Sequence, residues 1–252
     1  MEPKEIVQRI ESSGSLPAGK DDRFVGYGVM GVTFTSGHAL AMRRFPVNSL
    51  GSPYTSVWHL NPHGEWTFIQ DVPPHRGCSR YFGSAVSKSI QQEIEIVWTG
   101  PRDFVLSVEG DYPVYWQVSL DQTLATEIMN NLGSHLPDSV WHNEAVLGWI
   151  GKAGSKILGA GQLKLTGRVP NGQKFIANPK YVWMIAASSA TVCGENLGQV
   201  GPLSQQAKLG DVWIPQQGRF FIGSAYLEAF DPARHLSVLS KERRLESQSE
   251  AA

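Results

Sequence analysis

The chain is expected to be mainly β: an antiparallel β-barrel or two half-barrels, with a helical pair inserted between the halves. Three observations predict this. Short runs rich in Val, Ile, Thr, Tyr, Phe and Trp recur between Gly, Pro and Asn turns. Several of those runs alternate apolar and polar residues with the period of a half-buried strand. Helix-like periodicity is confined to the N-terminus and to one stretch near the middle, so the regular interleaving of a βαβ fold is missing.

Residues 1–23 read as a short amphipathic helix, with Ile6, Val7 and Ile10 on one side, followed by a linker containing Gly and Pro. A first β half spans 24–121. Val29–Thr35 and Ala39–Phe45 flank the hairpin loop Ser36-Gly37-His38. Next, YTSVWHL and EWTFIQDV are strands joined by the turn Asn61-Pro62-His63-Gly64. With Leu60 opposite Glu65, one face of this hairpin carries Thr55, Val57, His59, Trp66, Phe68 and Gln70. The other carries Tyr54, Ser56, Trp58, Leu60, Thr67, Ile69 and Asp71. Neither is a water face, so both sides of the sheet should meet other groups. After the irregular stretch Val72–Gly83, strands are expected at Gln91–Trp98, Phe104–Glu109 and Pro113–Leu120; in the first of them Gln92, Ile94, Ile96 and Trp98 share a side.

Residues 122–160 should form the helical pair. Leu124, Ile128 and Leu132 recur every four residues over Thr123–Leu132. Asp138 is placed to cap a second helix through Val140, Leu147, Ile150, Ile157 and Leu158, with Gly148, Gly151 and Gly154 at close-packing spacing. The second β half, 161–232, starts with Gln162–Val169 and Gln173–Ala177 around Pro170-Asn171-Gly172. Tyr181–Ala187 and Ala190–Gly194 follow. A last hairpin then joins Val212–Ile214 to Arg219–Phe230, and 233–252 is a polar tail.

At 252 residues the chain is long enough for a substantial core, and eight Trp, seven Tyr and ten Phe make that core ring-rich. Lys and Arg number 22 against 23 Asp and Glu, which gives no electrostatic reason to expect nucleic acid or an anionic membrane as partner. Two cysteines suit a reducing compartment. The polar start MEPKEIVQRIESSGS has no apolar signal-peptide region, and no segment is apolar enough to span a bilayer, so a cytoplasmic protein is expected.

Several motifs fail on mechanism. Gly26-Tyr27-Gly28-Val29-Met30-Gly31 spells G-x-G-x-x-G, but Val32-Thr33-Phe34-Thr35 follows where a dinucleotide site needs a helix N-terminus; glycines easing a twisted or bulged strand account for it better. His59, His63, His75 and Cys78 have zinc-compatible side chains, but a strand of roughly 23 Å separates the two pairs. No metal or cofactor is therefore expected. Cys78 lies near His75, Arg76 and Arg80, surroundings that favour a thiolate, although one of only two cysteines is commonly inert.

Aromatic strands such as TSVWH and EWTF make the chain resemble lipocalin-like proteins related to carotenoid hydratases and natural-product cyclases, over about residues 24–230. That resemblance implies two β-barrel-like halves around an apolar cavity and carries over no catalytic residue. The function expected is a cofactor-independent lyase, hydratase, isomerase or cyclase acting on an apolar small molecule of isoprenoid or polyketide type. The alternative is a non-catalytic carrier of a hydrophobic molecule. Asp71 and Asp211 are the candidate acids, since a carboxyl in an aromatic cavity is held protonated, and His59 is the candidate base. Trp58, Trp66, Phe68, Gln70, Arg80, Tyr81 and Trp213 are the candidate cavity wall. Arg43-Arg44 and Arg80 would anchor an anionic group or pair with a neighbouring carboxylate. An enzyme needs a carboxyl or imidazole of shifted pKa facing the cavity; a carrier does not.

Overall fold

The computed structural model describes residues 2–135, 145–148, 150, 151 and 159–237. It is mainly β. Helix α1 (Pro3–Ser13) is followed by β1 (Asp22–Thr33), β2 (Ala39–Asn48), β3 (Tyr54–Leu60) and β4 (Trp66–Gln70). A one-turn helix, α2 (Ser79–Phe82), precedes β5 (Lys88–Gln91), β6 (Ile94–Trp98), β7 (Asp103–Val108) and β8 (Val114–Asp121). Helix α3 (Leu124–His135) covers the first expected member of the helical pair; the second, from Asp138 to Leu158, falls largely outside the described residues. The chain then forms β9 (Thr166–Arg168), β10 (Lys174–Val192), β11 (Glu195–Asn196), β12 (Lys208–Leu209), β13 (Val212–Trp213) and β14 (Arg219–Leu227).

One sheet runs in the order β5-β4-β3-β2-β1-β14-β10-β8-β7-β6, antiparallel except for the parallel β4–β5 pair. Only Gln92 and Glu93 separate β5 from β6, so the two edges of the sheet are neighbours in sequence and the sheet must curl into a half-barrel. The inside of the curl is solid. Leu40, Val57 and Ile69 from one end share a core cluster with Leu106, Trp116 and Val118 from the other, around Trp183 and Phe220. Helix α1, with Pro3 in its first turn where a missing N–H costs nothing, lays Ile6 and Val7 on this cluster. The opposite face of β1–β4, β10 and β14 carries a second cluster, in which Trp58, Phe68, Tyr81 and Phe82 pack together. Both sides of the aromatic hairpin are therefore buried, as its residue pattern requires; every residue of β3 is buried.

The hairpin register differs from expectation by one residue. Leu60 pairs with Trp66, not Glu65, and Trp58 with Phe68. The loop takes five residues because Asn61 folds it from within: its Oδ1 accepts the N–H groups of His63 and Glu65, both at 3.0 Å, and Gly64 adopts φ +82°. The slip puts Trp58, Trp66, Phe68 and Gln70 on one face, and Thr55, Val57, His59, Thr67 and Ile69 on the other.

Two further elements differ. Tyr181–Ala187 and Ala190–Gly194 merge with Lys174–Ala177 into the single 19-residue β10, which tolerates Pro179 because the register shifts between Asn178 and Tyr181. β13 pairs with β12, while β14 lies between β1 and β10, so the expected final hairpin does not form. The glycines of the G-x-G-x-x-G run serve the sheet. A Cβ on Gly26 would sit 2.0 Å from the Arg44 carbonyl oxygen and one on Gly28 2.2 Å from that of Met42, and the β1–β2 register shifts twice along this stretch.

Candidate functional site

The cavity lies outside the curl, between the second face of the sheet and the segments that cover it. Its volume is about 120 Å³. Aromatic rings brought together from distant parts of the chain form the walls. Phe24 of β1 contacts Phe45 of β2 at 4.9 Å between centroids and meets Tyr81 of α2 edge-on at 5.9 Å; Phe45 contacts Tyr54 of β3 at 5.5 Å. Trp58, Trp213 and Phe221 complete the ring lining used below.

Arg43 is the one charged side chain deep in this wall among the described residues; it is 8% exposed. Strand alternation puts it there: Ala39, Ala41, Arg43 and Phe45 point to the cavity face, and Leu40, Met42 and Arg44 to the interior of the curl or its rim. Its guanidinium lies 4.7 Å from the Trp58 ring centroid and 5.1 Å from that of Phe221. It donates to the carbonyl oxygens of Val29 (2.5 Å) and Met42 (2.9 Å), and more distantly to that of Met30 (3.5 Å). No described carboxylate lies within ion-pair distance of it. Burial lowers its pKa to about 10, so it remains charged at neutral pH.

The other polar groups of the lining are neutral or already engaged. Cys78 faces the Tyr54 hydroxyl at 3.7 Å, not His75 or Arg76, and burial pushes both its pKa and that of Tyr54 up. The thiol is therefore not an activated nucleophile. Tyr81 donates its hydroxyl to Asp22 at 2.7 Å, and Arg80 reaches the same carboxylate at 3.7 Å while lying over the Tyr81 and Phe230 rings. At the mouth, Lys164 donates to Asp211 at 2.6 Å, and the Arg168 N–H donates to the second oxygen of that carboxylate at 2.9 Å. The hydrogen bond from Lys164 holds the Asp211 carboxyl below the usual range, so it is ionised at neutral pH and suited to accept a proton rather than give one.

Of the sequence candidates, Trp58, Tyr81 and Trp213 line the cavity, and Asp211 stands at its rim beside Lys164. Trp66, Phe68 and Gln70 lie behind the lining: Phe68 stacks on Trp58 at 4.5 Å, Trp66 meets Phe68 edge-on, and the Gln70 Oε1 accepts the Ser79 N–H. Asp71 and His59 are elsewhere. The Asp71 carboxylate accepts the Thr55 N–H at 2.8 Å beside Arg44, and burial raises its pKa. The imidazole of His59 lies between His38 Nδ1 and the Tyr112 hydroxyl, each 2.8 Å away; burial and then His38 lower its pKa to about 4, leaving it neutral. The proposed acid and base thus do not meet at the cavity, because the hairpin register turns His59 to the other face and Asp71 ends a strand. The sequence marks Arg43 only together with Arg44, as an anchor for an anionic group or a partner for a carboxylate; its phase with Ala39, Ala41 and Phe45 is the signal that separates the two. Lys164 carries no such signal.

Among the described residues no cluster of three or more His, Cys, Asp and Glu could hold a metal ion, and no helix is long and apolar enough to cross a membrane. No family model and no curated protein matches the chain. Among solved structures, acetoacetate decarboxylase from Legionella pneumophila subsp. pneumophila str. Philadelphia 1 aligns with a TM-score of 0.39 at 12% identity, over 87% of this chain and 93% of that one. A second acetoacetate decarboxylase structure aligns with a TM-score of 0.43 at 11% identity, over 90% of this chain and 96% of its own.

Proposed function

We propose that the protein binds an apolar small molecule in the cavity walled by Trp58, Tyr81 and Trp213. One observation carries this reading: a ring-lined void of about 120 Å³ between the sheet and its cover, whose described lining presents no carboxyl or imidazole of shifted pKa. At about 120 Å³ the void is somewhat smaller than the ~150 Å³ apolar cavity that takes up benzene, which limits its occupant to a single ring or a short chain. The absence of an acid–base pair among the described lining residues favours the carrier over the enzyme. The Lys164–Asp211 pair supports the second reading, a cofactor-independent lyase, hydratase, isomerase or cyclase. In it Asp211 accepts a proton from the substrate at the mouth, and the Lys164 ammonium beside it offsets the negative charge left on the substrate.

The test uses toluene, an uncharged ring of suitable size, and a variant, Ala225→Trp, that fills the cavity from β14. Toluene should raise the unfolding temperature of the wild type and leave that of Ala225→Trp unchanged. An equal shift in both proteins, or none in the wild type, overturns the reading. Organic extraction of protein purified from its own host then identifies the natural occupant, and turnover of that compound lost in Asp211→Asn would select the enzyme.

A further inference from the structure

We propose that the occupant of this cavity is a compact monocarboxylic acid, a ring or short alkyl chain bearing one carboxylate, and that the carboxylate seats on Arg43. The inference rests on the small-molecule reading above and names its chemical class.

An arginine buried to 8% exposure without a carboxylate partner is costly, because a few carbonyl dipoles replace water poorly around a full charge. The two companion arginines show the ordinary solution. Arg44 is held by both oxygens of Glu11, each at 3.0 Å, and Arg80 leans on Asp22. Arg43 instead faces an apolar cavity. Its bonds to Val29 and Met42 engage Nη1, Nη2 reaches the Met30 carbonyl only at 3.5 Å, and the Nε–H has no acceptor among the described residues. Nε and Nη2 share one edge of the planar fork, the edge that matches a carboxylate bidentately, and seating one there would exchange the long Met30 bond for a charge-assisted one. Trp58 and Phe221 hold the plane in place, so little freedom is lost on binding. Two other buried polar atoms in the same lining lack partners among the described residues, the Trp213 indole N–H and the Asn178 Oδ1. A ligand with oxygen acceptors offers the indole a bond that a hydrocarbon does not. The void also limits size: it takes a ring or short chain, not a long acyl tail.

The test compares each acid with its neutral isostere on the full-length protein: benzoate against benzamide, and hexanoate against hexanamide, followed by calorimetry and by the emission of Trp58 and Trp213. The acids should bind at least roughly tenfold more tightly than their amides, the range of a charge-assisted hydrogen-bonded pair. That preference should collapse in Arg43→Met, with amide binding retained. Amides that bind as tightly as the acids overturn the Arg43 assignment and leave the cavity reading standing. Failure of all four compounds to bind a wild type that takes up toluene overturns the Arg43 assignment alone, and failure of toluene as well overturns both. Should Arg43→Met fail to fold, carbon-13 NMR of carboxyl-labelled benzoate on the wild type decides: a carboxylate seated on the guanidinium titrates below its free value, and an unchanged titration overturns the assignment.

Discussion

His59 shows how far a single side chain can be read in advance. Its type and its strand position are plain in the sequence, but its face depends on a loop one residue longer than its turn signal suggests. Asp71 fails for a related reason: a carboxylate at a strand end has a backbone N–H to accept, and nothing local says whether it also faces a cavity. Arg43 was legible by alternation alone, since period two places it with Ala41 and Phe45. The surroundings of His59 make a testable pH dependence. It lies among His38, Tyr112 and, beyond His38, the Glu195 carboxylate at 3.5 Å, and its pKa is lowered to about 4 from 6.5. Between those values the unfolded chain binds a proton that the folded chain does not, so stability is complete above about pH 6.5 and falls as the pH drops toward 4. The total loss is on the order of 3 kcal/mol. Urea titrations from pH 7 to 4.5 should show a steeper decline in wild type than in His59→Gln; parallel declines would remove His59 as the source.

At the scale of elements, the strands could be read and their partners could not. Alternation located β6, and its inward residues Ile94, Ile96 and Trp98 are those the pattern marks. The separation of β13 from β14 was not legible, because β14 satisfies its backbone on β1 and β10, strands far away in sequence. Glycine shows the same division between local and distant causes. Gly64 is required by φ +82° alone, with nothing within 4 Å of the point where a Cβ would stand, whereas Gly28 is required by the neighbouring strand, whose Met42 carbonyl oxygen would lie 2.2 Å from a Cβ. Gly64→Ala should cost about 1 kcal/mol through its left-handed backbone. Gly28→Ala should cost about 3 kcal/mol, the upper part of the overpacking range, because a ladder carbonyl cannot move aside freely. Urea midpoints measure both; equal costs would mean that the β1–β2 approach is looser than the structure has it.

For the whole molecule, the division into a β half, a helical pair and a second β half describes the order of elements along the chain, while the hydrogen bonds follow a different partition. β1 pairs with β14, and β10 carries β14 on one side and β8 on the other, so strands from before and after residues 122–160 alternate within one sheet. The interior cluster draws on the same mixture, with Phe104 from β7 touching Phe220 from β14 at 5.8 Å between centroids. The cavity also depends on it. Arg43 and Trp58 lie on β2 and β3, Phe221 on β14 and Trp213 on β13, so loosening the pairing of β1 with β14 separates the walls. The interior core and the cavity on the other face should therefore unfold together. In Phe104→Ala, which removes a fully buried ring of the interior cluster, on the face away from the cavity, stability should fall by about 3–5 kcal/mol. Far-UV circular dichroism and tryptophan emission should still report one shared urea midpoint, and toluene uptake should vanish at that midpoint. A cavity that keeps binding toluene after the circular dichroism transition, or two separated midpoints, would show that the strands on either side of 122–160 fold as independent units.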